Sequence, residues 1–247
     1  MGVYSGQWYQ LDINVYFVDG GTGWRAGPNI GGIMSRVGAY YSTYGIKIVW
    51  TECTIPSKEY GALPDLDGYG SGRDGPVKGW KSNPLADLLK RESKPWGATQ
   101  ADRRYQNMMK NIFIMEGVPS LIFVNSLADT VDPKTNEKSG TLGYANSFLD
   151  GSGMVFIAEY QGFKRDDEDL CCTVAHEIGH LLGEDHEYND NNNLMNVNGQ
   201  FWSDLSPGKL HLLPGQVARM QSYGSGTKRQ GMPTVKWLKP IDPPSKE

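Results

Sequence analysis

The sequence predicts an α/β (α+β) chain: a twisted mixed five-stranded sheet with helices in an N-terminal lobe over residues 1–183, then a small irregular lobe over 184–247, all within one domain. Three observations predict it. Apolar or alternating runs of strand length recur through the first two thirds of the chain. Helix-period segments stand between them, which favours neighbouring parallel strands joined by crossovers. Past residue 184 the texture changes to an Asn-rich loop, one short helix and a Pro-rich tail.

The elements follow in order. "LDINVYFV" (11–18) alternates and then turns wholly apolar, as a strand does when both faces become covered. "IGGIMSRVGAYYSTYG" (30–45) places Ile30, Ile33, Met34, Val37 and Tyr41 on one stripe and predicts a helix. "IKIVWTECTI" (46–55) is a second strand, completing a β-α-β unit. Residues 56–118 are an insertion, mostly irregular, with helices expected over 84–92 and 99–117. "SLIFVNSL" (120–127), "GTLGYANSF" (140–148) and "GMVFIAEY" (153–160) are the remaining strands. "DEDLCCTVAHEIGHLLG" is a helix with acidic residues at its start and Gly183 at its end, a charge placement that complements the helix dipole. A last helix is expected over 214–224.

Composition narrows the function. A net charge of −4 with 21% charged residues argues against a general nucleic-acid binder, which carries a basic face. No apolar run approaches the ~20 residues of a membrane span. The N-terminus shows no secretory leader, so a secreted protein freed of its leader and an effector delivered by a dedicated machine both fit, with an extracellular location expected. A monomer is expected. Cys53, Cys171 and Cys172 are an odd set: a bridge from Cys53 to one of the vicinal pair and three small buried side chains are both open. "GSGRDG" (70–75) lacks the strand and helix that a dinucleotide loop needs, and "DLDGYGSGRDGP" (65–76) lacks the closing glutamate of a calcium loop.

"TVAHEIGHLLGEDHEYNDNNNLMNV" (173–197) holds three of the four histidines. His176 and His180 are four apart on a helix, hence on one face and within reach of one ion. Glu177 is placed to act as base toward a metal-activated water. Gly183 allows the chain to leave the helix sharply, and His186 then supplies a third nitrogen, leaving one position open. The pattern H-E-x-x-H-x-x-G-x-x-H fixes five positions, which chance meets very roughly once per ten million starts. Zinc is the expected cofactor. Calcium at "YNDNNN" (188–193) is an alternative to a simple polar turn, and His211 is expected to be a satisfied or surface histidine.

These residues resemble the metzincin clan of zinc endopeptidases. The likeness covers "HEIGHLLGEDH" and "LMN", where Met195 stands for the methionine of the turn beneath the zinc. The nine-residue gap from His186 to Met195 is most similar to the matrixin branch, as is "SGTLGYANSFLDGSGMVFIAE"; Glu187 after the third histidine is more like astacins, and the 56–118 insertion is longer than the matrixin counterpart. The resemblance implies a metzincin-like fold with the zinc in a cleft between the lobes, protein or peptide substrates, and peptide hydrolysis with Glu177 as base and then acid. It further implies that an extended substrate pairs with the backbone around Gly143, Tyr144 and Ala145, with a side-chain pocket near Val197, Phe201 or Trp202. A non-catalytic zinc module is the competing expectation.

Overall fold

A computed structural model describes residues 4–17, 29–54, 117–124, 130–131, 138–139, 142–147, 153–158, 165–196, 204–206 and 208–244. The expected helix over 84–92 and all but the last residue of that over 99–117 lie outside them, as do Val197, Phe201 and Trp202.

Strand β1 (Trp8–Phe17) is an interior strand of the sheet, and α1 (Ile30–Ser42) crosses over to β2 (Ile46–Thr54), which pairs with β1 in parallel. Asn29 starts α1 by accepting the Gly32 N–H at 3.1 Å. Ile30, Ile33, Met34, Val37, Tyr40 and Tyr41 then bury one face of α1, including every member of the expected stripe. Beyond β1 lie β3 (Ser120–Val124) and β7 (Gly153–Ala158), both parallel, and β6 (Gly143–Ser147) closes the path antiparallel to β7. The order β2-β1-β3-β7-β6 accounts for the five expected strands. A small antiparallel pair, β4 (Thr130–Val131) with β5 (Lys138–Ser139), stands apart.

The five-strand expectation needs one correction. A sixth strand, β8 (Leu238–Ile241), comes from the Pro-rich tail and pairs antiparallel with Trp8–Leu11. The reason is geometric: β3 flanks only Asn14–Phe17, so the first half of β1 has a free side that four tail residues fill. Pro240 is tolerated because no described strand lies beyond β8 in the sheet.

Helices α2 (Asp167–Leu181) and α3 (Pro214–Gly224) complete the described elements. Asp166 caps α2 through the Asp169 N–H at 2.8 Å, and Asp167, Glu168 and Asp169 fill its first turn. Val174, Ile178, Leu181 and Leu182 are fully buried, as the apolar back of α2 requires. The helix packs on α1, β6 and β7, and Tyr41 donates to the Ala175 carbonyl at 2.7 Å. Cys53, Cys171 and Cys172 are all free thiols; the last two are buried in α2, so the Cys53 bridge is not formed. No described helix is long and apolar enough to cross a membrane.

Candidate metal centre

The site is assembled at the C-terminal half of α2. His176 and His180 project from one face with ring centroids 4.5 Å apart and planes nearly perpendicular. His186, five residues past the end of α2, brings its ring to 5.4 Å from His176 and 4.6 Å from His180. One ligand nitrogen from each lies within 4.8 Å of the other two. His176 is buried, His180 half-buried and His186 exposed, so the group faces solvent on one side.

The chain reaches His186 through a helix stop of the Schellman type. The Gly183 N–H donates to the His180 carbonyl at 2.9 Å, and the Glu184 N–H to the Gly179 carbonyl at 3.0 Å. Gly183 sits at φ +89°, the left-handed region where glycine is favoured, and a Cβ there would lie 2.7 Å from Cδ1 of buried Tyr223.

That stop also orients His180. The Glu184 carbonyl lies 2.7 Å from His180 Nδ1, and the Leu194 carbonyl 2.7 Å from His176 Nδ1. A carbonyl only accepts, so each Nδ1 carries the hydrogen and the lone pair is on Nε2. Burial holds the histidines below their usual range: His176 falls to about 3 and His180 to about 4, and His186 is lowered too. Three neutral imidazoles, two with fixed tautomers, are a donor set that fits zinc. Among the described residues no cysteine or carboxylate joins them.

Glu177 is 6% exposed and packs against β6, the last strand of the described sheet path. A Cβ on Gly143 would lie 2.5 Å from Glu177 Cγ and 2.6 Å from Oε1, so only glycine allows this approach. Burial pushes the Glu177 carboxyl up to about 8, opposed by the charge of Arg165 and a backbone hydrogen bond from Ala145. Gly143, Tyr144 and Ala145 thus lie on the strand beside the carboxylate, at the end of the described sheet path.

Met195 is fully buried under α2, where a Cβ on Gly179 would meet its Sδ at 2.4 Å. The space left at Gly179, the fourth position of "HEIGH", is therefore filled by the methionine from below. The loop carrying Met195 is braced from several directions. Asn193 Oδ1 accepts the Met195 N–H at 2.9 Å, Asn193 Nδ2 donates to Gln216 on α3 at 2.8 Å, and the Met195 carbonyl accepts the Glu187 N–H at 2.8 Å. Asp190 lies 2.8 Å from His211 Nε2 and accepts the Asn192 N–H at 3.0 Å. His211 is thus satisfied, and the polar residues of 188–193 serve the turn. The three histidines are the one grouping of His, Cys, Asp and Glu assembled for an ion among the described residues, which gives no support to calcium at 188–193.

Two residues were not anticipated. Glu184, with its side chain 2% exposed, receives Arg219 of α3 in a fork at 2.9 and 2.8 Å, tying α3 to the end of the ligand helix. Arg165, with its side chain wholly buried, precedes α2 and reaches both β6 and β7. A signal for it existed: Arg165, Asp169, Thr173 and Glu177 are each four apart, a polar stripe at helical spacing.

No family model and no curated protein matches the sequence. Among solved structures, the chain is similar to an archaemetzincin from Methanopyrus kandleri, at 16% identity and TM-score 0.43, over 86% of this chain and 94% of that one. It is similar to metalloproteinase-II from Bacteroides fragilis at 15% identity and TM-score 0.44, over 88% of this chain but only 54% of that one. A zinc-dependent peptidase from Methanocorpusculum labreanum gives 14% identity and TM-score 0.41, over 84% and 99% of the two chains.

Proposed function

We propose that this chain is a zinc-dependent endopeptidase of metzincin type, with His176, His180 and His186 holding the metal and Glu177 acting as general base and then acid. The observation that carries the reading is an open three-imidazole group beside a buried carboxylate on the helix that bears two of the imidazoles, with that carboxylate set against β6. Zinc held there supplies Lewis acidity, which activates water near neutral pH and polarises a carbonyl.

The protein's own groups do the rest. Glu177 takes a proton from the attacking water on a carboxylate oxygen and returns it to the leaving amine. Its buried position excludes bulk water from that exchange, and the backbone hydrogen bond from Ala145 holds the carboxylate in place. The β6 backbone from Gly143 to Ala145 receives an extended peptide as an added strand. Met195, packed on Gly179 between the first two ligands, supports the helix from below. The gap from His186 to Met195 and the edge-strand segment liken the chain to the matrixin branch.

A structural zinc module is the second reading, and the donor set weighs against it. Structural sites are closed by a fourth protein ligand, and none joins the three histidines among the described residues. Elemental analysis together with cleavage of a generic protein substrate, on wild type and Glu177→Ala, tests the proposal. One zinc in both proteins, with cleavage lost only in the variant, is expected. Zinc in both with equal cleavage would refute the role of Glu177, and absence of zinc from both would refute the site.

A further inference from the structure

Arg165 is among the largest fully buried side chains of the protein, and a buried guanidinium requires a partner for each of its five N–H donors. It has them. Nε donates to Asp169 Oδ2 at 2.6 Å, and Nη2 donates to Asp169 Oδ1 at 3.0 Å, to the Asp169 carbonyl at 3.3 Å and to Thr173 Oγ1. Nη1 donates to the Leu142 carbonyl at 3.2 Å and to the Ala158 carbonyl at 2.7 Å.

These partners belong to two bodies. Asp169 and Thr173 lie on α2, two turns and one turn before Glu177 respectively, on the same stripe. Leu142 immediately precedes Gly143 in β6, and Ala158 is the last residue of β7; the Ala158 N–H also donates to the Leu142 carbonyl at 2.9 Å. The guanidinium therefore bonds the end of the β6–β7 ladder to the helix that carries Glu177. Gly143 touches Glu177 one residue further along β6, and Ala145 bonds it two residues beyond that.

We propose that Arg165 is a positioning residue: it fixes the β6 edge against α2 and so sets where an extended peptide pairs relative to Glu177. This rests on the peptidase reading for its use, but the clamp itself is a property of the fold. A planar fork with five donors is what the geometry demands. Lysine keeps the charge but, with a single ammonium, cannot serve Asp169, Thr173, Leu142 and Ala158 together.

The test compares wild type, Arg165→Lys and Arg165→Met, with Thr173→Val, which removes a single acceptor, serving if Arg165→Met does not yield folded protein. Two readouts are taken: hydrogen exchange of the β6 amides over 143–147, and KM and kcat for an extended peptide and for a dipeptide-length substrate. Exchange in β6 is expected to rise about tenfold or more in both Arg165 variants, with β1 and β2 unchanged and one zinc retained. In Arg165→Lys, which keeps the positive charge that acts on Glu177, KM for the extended peptide is expected to rise about tenfold or more, with kcat and the short substrate much less affected. Unchanged β6 exchange, or exchange raised equally across the sheet, would overturn the clamp. Loosened β6 exchange with KM raised equally for both substrates would overturn its role in pairing. If wild type cleaves nothing, the peptidase reading fails, and β6 exchange still decides the clamp.

Discussion

Replacing Gly183 by alanine tests whether the helix stop, and not the histidine spacing alone, builds the metal centre. Two costs can be worked from the structure. At φ +89° an alanine meets the left-handed penalty of about 1–2 kcal/mol. Its Cβ would also lie 2.7 Å from Cδ1 and 3.0 Å from Cγ of Tyr223, whose ring is 3% exposed and has little room to retreat, adding about 1–3 kcal/mol of overpacking. Because the two strains relax together, the sum is about 3 kcal/mol, which for a chain of this size lowers Tm by about 10 °C. A second effect is specific to function. Any shift of residue 183 moves the Glu184 carbonyl away from His180 Nδ1, so zinc affinity should fall about tenfold or more, as when an outer partner of a ligating histidine is lost. Calorimetry and competition with a zinc chelator read the two effects separately. Gly38→Ala is the control, since nothing lies within 4 Å of its Cβ position and alanine favours the helix; it should gain up to about 1 kcal/mol. Gly183→Ala melting within about 2 °C of wild type, with unchanged zinc affinity, would refute the reasoning.

Two further outcomes are expected. Gly143→Ala drives a methyl into Glu177, so activity should fall about a hundredfold or more while elemental analysis still finds one zinc; equal activity would show that β6 does not hold the carboxylate. Lys239→Met tests the β1–β8 pairing through Asp12. Burial raises the Asp12 carboxyl and the Lys239 and Gln10 hydrogen bonds lower it, with the net result below its usual 3.8. A depressed folded pKa gives stability that is present above the unfolded value and lost as pH falls through the folded one. The variant should therefore be less stable by under about 1 kcal/mol at pH 7, with the difference shrinking below pH ~3.5 and in high salt; denaturant melts that show a constant difference across pH would rule out the ion pair.

The fold was legible where one short segment decides its own environment. The α1 stripe, the five strands of the main path and the bounds of α3 follow from local period and turn residues. The tail strand β8 was not legible, because "LKPI" is short and contains proline; it pairs only because β3 leaves the start of β1 uncovered. At the site, the histidines, Glu177 and the stop at Gly183 sit in one run of eleven residues, and their geometry is that of a helix and its end. Gly179 shows the limit. Its place in "HEIGH" reads as an ordinary helical glycine, yet the space it leaves is taken by Met195, sixteen residues away. Glu184 shows the same limit: its partner Arg219 lies on α3, 35 positions on.

The orientation of the ligands shows how the two ends of the chain depend on one another. His176 is aimed by a carbonyl from the Met195 loop, and His180 by a carbonyl from the helix stop. The loop is held by Gln216 of α3 through Asn193, and the stop by Arg219 of α3 through Glu184. One helix near the C-terminus therefore supports both outer partners, although it contributes none of the three histidines. At its other end α2 is joined to β6 and β7 by Arg165, so Glu177 and the strand beside it are fixed from the N-terminal side. The division has a physical logic. The proposed metal ligands need fixed tautomers, which backbone carbonyls supply, and the proposed base needs a strand at van der Waals distance, which a glycine and a buried fork of hydrogen bonds supply. Perturbing α3 should thus act first on zinc affinity, and perturbing Arg165 first on peptide binding, although both reach the same helix.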